Sequence, residues 1–166
     1  MRTFGYYWGI TGVILLLSAA VYRLAPRVLE LREHELGAWH WLALVAFVVF
    51  MLYSEGYKGF HLNFSPRVVV RAAGLQQSNQ LLLHVLAPLV CMGYLHATRK
   101  RRIISIVLTT AIVLLVLGVS QLAQPWRGII DAGVVFGLAV GIGSIIWHWL
   151  CRDLRGITPT IAADLP

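Results

Sequence analysis

Apolar residues fall into five long blocks along the chain, separated by short polar breaks. The blocks cover residues 4–22, 39–55, 81–97, 103–123 and 129–150. Each approaches the ~20 residues that a helix needs to cross a bilayer. Backbone amides left unpaired in lipid are costly, so each block is predicted to be helical. The pattern therefore predicts an all-α membrane protein, with five transmembrane helices in one bundle. Residues 1–166 form one integral membrane domain in this reading. Tyr6, Tyr7, Trp8, Trp39, Trp41, Trp126, Trp147 and Trp149 lie near block ends, where amphipathic rings favour the membrane interface.

The break after the second block is the least ordinary. "LYSEGYKGFHLNFSPRVVVRAAG", Leu52 to Gly74, leaves an apolar run at Glu55 and passes Lys58, His61, Arg67 and Arg71. The pattern predicts a membrane boundary at Glu55, followed by a short interfacial helix over residues 66–73. Ser65 would cap that helix, Pro66 would occupy its first turn and Gly74 would end it.

Composition agrees with the blocks. The chain is 58% hydrophobic and 13% charged, with a mean hydropathy of +0.75. A water-soluble domain carries roughly 25% charged residues. The net charge of +7 does not point to nucleic acid, because the basic residues gather at block ends, where they set orientation and meet anionic headgroups. With five crossings, Arg2, Lys58, Arg67, Arg71 and Arg127 fall on one side. Arg23, Arg27, Arg32, Arg99, Lys100, Arg101, Arg102, Arg152 and Arg155 fall on the other. Nine against five predicts the N-terminus outside and the C-terminus in the cytoplasm of a cell (inner) membrane. Cleavage of the first block as a signal peptide is the alternative. Cys91 and Cys151 have neither zinc-type nor CxxC spacing.

Ionisable residues inside membrane spans point by default to function. By expected depth they form two groups. Glu55, His84 and Asp131, with Arg127 and His61 nearby, make an outer proton- or cation-site candidate. Pro88 follows His84 by four residues and removes the donor for its carbonyl, so a kink is expected there. His40, His96 and His148 make an inner group that could hold haem or another metal. Each sits at a block end, where a histidine is cheap, and a cofactor-free protein is the simpler expectation, with haem b as the alternative.

In the last block Gly133, Gly137 and Gly141 recur every four residues, with Ser144 and His148 on nearly the same face. Small residues at this spacing let helices approach closely, so the block is predicted to be a packing helix. No Ser/His/Asp arrangement, HExxH or phosphate-binding glycine loop occurs. The phrases "EGYKGF…FSPRVVVRA" and "PWRGIIDAGVV" resemble those of small multipass bacterial inner-membrane proteins without an assigned function, and the resemblance implies no activity. The favoured reading is a non-enzymatic membrane protein, either transporter-like or an accessory subunit. Its partners are the lipid bilayer and either further copies of itself or a larger membrane complex. A redox subunit binding one haem or a quinone through the inner histidines is the alternative. An intramembrane enzyme using Glu55, His84 and Asp131 as acid and base is the third reading.

Overall fold

The computed structural model describes residues 2–78, 80–157, 159 and 161, without the Arg2 side chain. Every regular element among them is helical. Helix α1 spans Arg2–Leu29 and runs into a 3-10 turn, Glu30–Glu33. Helix α2 is continuous from Ala38 to Leu75. Two short helices follow, α3 (Leu81–Val85) and α4 (Ala87–Met92). Helix α5 covers Arg99–Val119 and α6 covers Trp126–Arg155.

Four helices are long and apolar enough to cross a membrane: α1 with its 3-10 extension, α2, α5 and α6. This differs from the five blocks in two places. The block over 81–97 is broken into two short helices. Leu86 leaves helical geometry at φ −91°, ψ 19°, and Pro88 restarts the chain in the first turn of α4. Gly93 then ends α4 with φ +83°, a conformation that a side chain disfavours. Helices of five and six residues reach at most about 9 Å, far short of a bilayer.

The second difference is at Glu55. The helix does not end there, and residues 66–73 are part of it rather than a separate helix. Leu52–Phe64 forms a π-helix that joins the flanking α-helical segments of α2 without interruption. A polar side chain does not end a helix whose backbone remains paired. The i→i+5 bonds widen the turn, so positions on one face recur every four or five residues. Phe47, Met51, Glu55 with Gly56, and Phe60 with His61 thereby all meet α6. Residues 66–73, expected on the headgroups, instead include the core residues Val68, Val69 and Ala72, each fully buried.

Helix α6 is the centre of the bundle. Alpha-1 runs antiparallel to it: Tyr6 Oη donates to Asp153 at 2.7 Å, while Leu31 packs on Gly128 at the far end. Helix α2 runs parallel to α6, from the His40–Trp126 ring contact to the Arg152–Gln76 hydrogen bond. The start of α1 and the end of α6 therefore share one end of the bundle, here the Tyr6 end. The opposite end, where Gln124 donates to Glu30 at 3.0 Å, is the Gln124 end. The expected placement of the termini on opposite sides assumed five crossings, whereas four helices are long and apolar enough to cross.

The main core lies toward the Tyr6 end, where Tyr6, Ile10, Val68, Ala72, Val90 and Ile145 pack together. Alpha-3 and α4 lie against α1 there, with His84 on Gly5 and Pro88 on Gly12. Arg71, only 1% exposed, donates from Nη1 to the Cys91 carbonyl at 3.1 Å and so caps the end of α4. Ser105 of α5 donates to the Met92 carbonyl at 3.1 Å. Beyond this anchor α5 exposes apolar side chains along most of its length. At the Gln124 end α1 and α2 diverge, leaving an apolar groove of about 500 Å³ lined by Leu31, Leu44, Val48 and Phe136, with Arg32 and His34 among its walls.

Candidate functional site

The outer group predicted from sequence does not converge. His84 is buried at 2% exposure against the start of α1. Asp131 lies 22 residues before Asp153 in α6, or about 33 Å along the axis, toward the Gln124 end. It faces Arg127, with Nε 3.8 Å from Oδ2, and Arg127 also donates to the Ser120 carbonyl at 3.2 Å. Glu55 sits between these levels, beside Gly137, and is exposed. The reason is the direction of the chain. A spanning third block would have reversed α6 and brought Asp131 to the Tyr6 end beside His84; with that block broken, α6 starts at the Gln124 end and carries Asp131 there.

The inner group is scattered as well. His40 makes an edge-on ring contact with Trp126 at the Gln124 end, 5.2 Å between centroids. His148 is 22 residues further along α6, again about 33 Å. His96 is exposed in the turn before α5, with φ +48°. These three histidines cannot ligate one metal or haem together, and no cluster of three or more metal-binding side chains occurs among the described residues.

What the structure does bring together is one histidine from each group. Helix α2 presents His61 to the glycine face of α6. Its Nδ1 lies 3.0 Å from Ser144 Oγ. Ser144 Oγ lies 3.5 Å from His148 Nδ1, which also lies 2.8 Å from the Ser144 carbonyl. A carbonyl only accepts, so His148 Nδ1 carries the proton in that bond. The two rings stand 5.0 Å apart, tilted by 55°. Both line a cavity of about 500 Å³ that also touches Pro66, Trp147 and Cys151.

The local sequence explains the approach. Gly141 would place a Cβ 2.6 Å from the Phe60 ring, and Gly133 one 2.5 Å from Phe47. Both are closer than carbon atoms can stand. Bare backbone at these positions lets α2 come near enough for Ser144, one turn on, to reach His61. Gly137 also faces α2, as its spacing predicts, but a Cβ there would meet Glu55 and Met51 at 3.5 Å or more. His61 continues outward into a ring stack: Tyr57 is 5.8 Å from it at 18°, and Tyr53 is 6.3 Å from Tyr57 at 19°.

His84 is the other isolated feature. Its Nδ1 meets the Gln80 carbonyl at 2.9 Å, while its buried Nε2 has no hydrogen-bond partner among the described residues. No cluster of metal-binding side chains includes it among the described residues.

Fold and site together define an all-helical protein of membrane-spanning character, with a histidine pair between two parallel helices. No protein-family model, curated protein or solved structure matches the chain.

Proposed function

We propose that this is a small, non-enzymatic protein of the cell (inner) membrane, transporter-like, whose proton or cation site is the His61–Ser144–His148 unit. The observation that carries this reading is the serine hydroxyl shared by two imidazoles from different helices. Ionisable side chains within spans mark proton relays and ion paths. A hydroxyl both donates and accepts, so it can hand a proton from one ring to the other. The cavity beside the rings gives access from the Tyr6 end.

The test is proton flux in proteoliposomes loaded with a pH-sensitive dye. Under an imposed gradient, wild-type vesicles should re-equilibrate several-fold faster than protein-free vesicles. His148→Ala and His61→Ala should return the rate to the protein-free value, and Ser144→Ala should lie between. Equal rates for wild type and empty vesicles would remove the proton-handling reading and leave an accessory role.

The same reading includes an orientation. The Tyr6 end carries Arg2, Arg99, Lys100, Arg101, Arg102, Arg152 and Arg155 at helix starts and ends, and the Gln124 end carries Arg23, Arg27, Arg32 and Arg127. Seven against four favours the Tyr6 end in the cytoplasm, with the "TRKRR" segment on that side. Reporter fusions after Gly37 and after Gln77 should fall outside and inside, respectively. Finding both on one side of the membrane would contradict a spanning α2.

A further inference from the structure

We propose that the apolar groove at the Gln124 end is a phospholipid site, in which one acyl chain lies between α1, α2 and α6 and the phosphate rests on Arg32. The depth of the groove fits such a molecule. Leu31 packs on Gly128 and His40 on Trp126, so Arg32 and the start of α2 stand level with the first turn of α6. Trp39, Trp41 and Trp126 are exposed at that level, as rings at a membrane interface are. From there the groove follows α2 from Trp41 to Val49, about 12 Å of helix. It reaches Phe136, the eleventh of the 30 residues of α6.

The walls change character along that path. Leu44, Val48 and Phe136 offer hydrocarbon, whereas Arg32, His34 and Trp41 lie toward the bundle end. A pocket with apolar walls and a few polar groups at one end suits an amphipathic ligand. The polar groups here favour an acceptor, because a guanidinium and an indole N–H can only donate. His34 Nδ1 donates to the Glu30 carbonyl at 3.0 Å, which ties down the turn that carries Arg32.

Charge narrows the ligand further. Arg27 pairs with Glu30 at 2.9 Å, and Arg127 faces Asp131 and the Ser120 carbonyl. Arg32 is exposed and has neither a hydrogen bond nor an ion pair among the described residues. No acidic residue lines the groove. Glu30 is already engaged by Arg27 and Gln124, and Glu33 and Glu35, beside Arg32 in the chain, point elsewhere than into the groove wall. A guanidinium grips phosphate oxygens through parallel N–H bonds, and basic pockets between membrane helices take phosphate headgroups. A lipid of the leaflet at the Gln124 end already holds its phosphate at the height of Arg32 and its chains toward Phe136. It can enter sideways without turning.

Photolabelling of the detergent-solubilised full chain tests the proposal. A phosphatidylglycerol with a diazirine in one acyl chain should label residues 41–49 and 132–136 several-fold more than residues 110–118 of α5. That part of α5 is an exposed apolar surface and reports ordinary lipid contact. Excess unlabelled phosphatidylglycerol should compete the groove signal away. A diacylglycerol with the same chains and diazirine lacks the phosphate and should label both surfaces equally. Arg32→Ala should lower groove labelling to the α5 level, and Arg32→Lys should keep part of it. Because Arg32 is exposed, both variants should retain the wild-type melting temperature and the wild-type labelling of α5. Equal labelling of groove and α5 by the phospholipid in wild type would overturn the proposal and leave ordinary surrounding lipid. Groove labelling that survives Arg32→Ala, or that the diacylglycerol reproduces, would overturn it as well, since no phosphate contact would then exist. Proton flux through the histidine unit, toward the other end of the bundle, is a separate readout and stands or falls independently.

Discussion

Gly141→Leu should detach α2 from α6 at mid-bundle and clearly lower the thermal stability of the detergent-solubilised protein. The Cβ alone would stand 2.6 Å from the Phe60 ring, and the remaining leucine atoms have nowhere to go. By analogy with overpacked cores the cost is on the order of 1–3 kcal/mol. Since Ser144 follows one turn later, the His61–Ser144 contact should open in the same variant and proton flux should fall with it. Gly143→Leu is the control, because nothing lies within 4 Å of a Cβ at that position. Equal melting temperatures for the two variants would argue against the α2–α6 contact. Gly137→Ala should be nearly silent, since a methyl group there meets only ordinary contacts.

Arg71→Ala should loosen α4 before the rest of the molecule. The guanidinium is buried and bonded to the Cys91 carbonyl at the end of α4, in a turn that Ser105 also holds through the Met92 carbonyl. A buried acceptor deprived of its partner costs about 1–3 kcal/mol. The emptied volume adds to this, at about 24 cal/mol per Å³ of cavity that fails to collapse. Hydrogen exchange should accelerate over residues 87–93 while the middle of α6 remains protected. Arg71→Lys should recover only part of the loss, because one ammonium cannot reproduce a planar fork of donors. Uniform exchange across the chain would show that Arg71 does not act locally.

The helical class and the glycine face were legible from sequence because each depends on local periodicity. Gly133, Gly137 and Gly141 repeat at helical spacing, and the structure packs all three against α2. The continuation of the helix past the second block was not legible, for a physical reason. A polar stretch inside a long helix resembles a boundary when helices are assumed to have one period, and the π-helix over Leu52–Phe64 changes that period. The break at Pro88 was visible, but the division of the block by Leu86 and Gly93 into two short helices was not.

The histidine pair lay beyond local reasoning. His61 and His148 are 87 residues apart in sequence, and parallel packing of α2 on α6 brings them together. One signal did point toward them. Ser144 and His148 continue the glycine face, so any helix lying in that face must offer them a polar partner. Within the polar part of α2, a register placing Gly56 and Phe60 on α6 puts His61 next in line.

The polar waist of α2 also bears on how the chain enters the bilayer. Alpha-5, with a mean hydropathy of 2.5 over its most apolar window, can partition into lipid without help. Helix α2 carries Glu55, Lys58, His61 and Asn63 near its midpoint, and such residues oppose release into lipid when a helix is alone. The surface that accepts its middle belongs to α6, which starts at Trp126, some fifty residues after α2 has ended. Ribosomal synthesis must therefore run well past α2 before that helix finds its neighbour. Final seating of α2 is a late event in biogenesis, set by the arrival of the last long helix rather than by its own order of emergence.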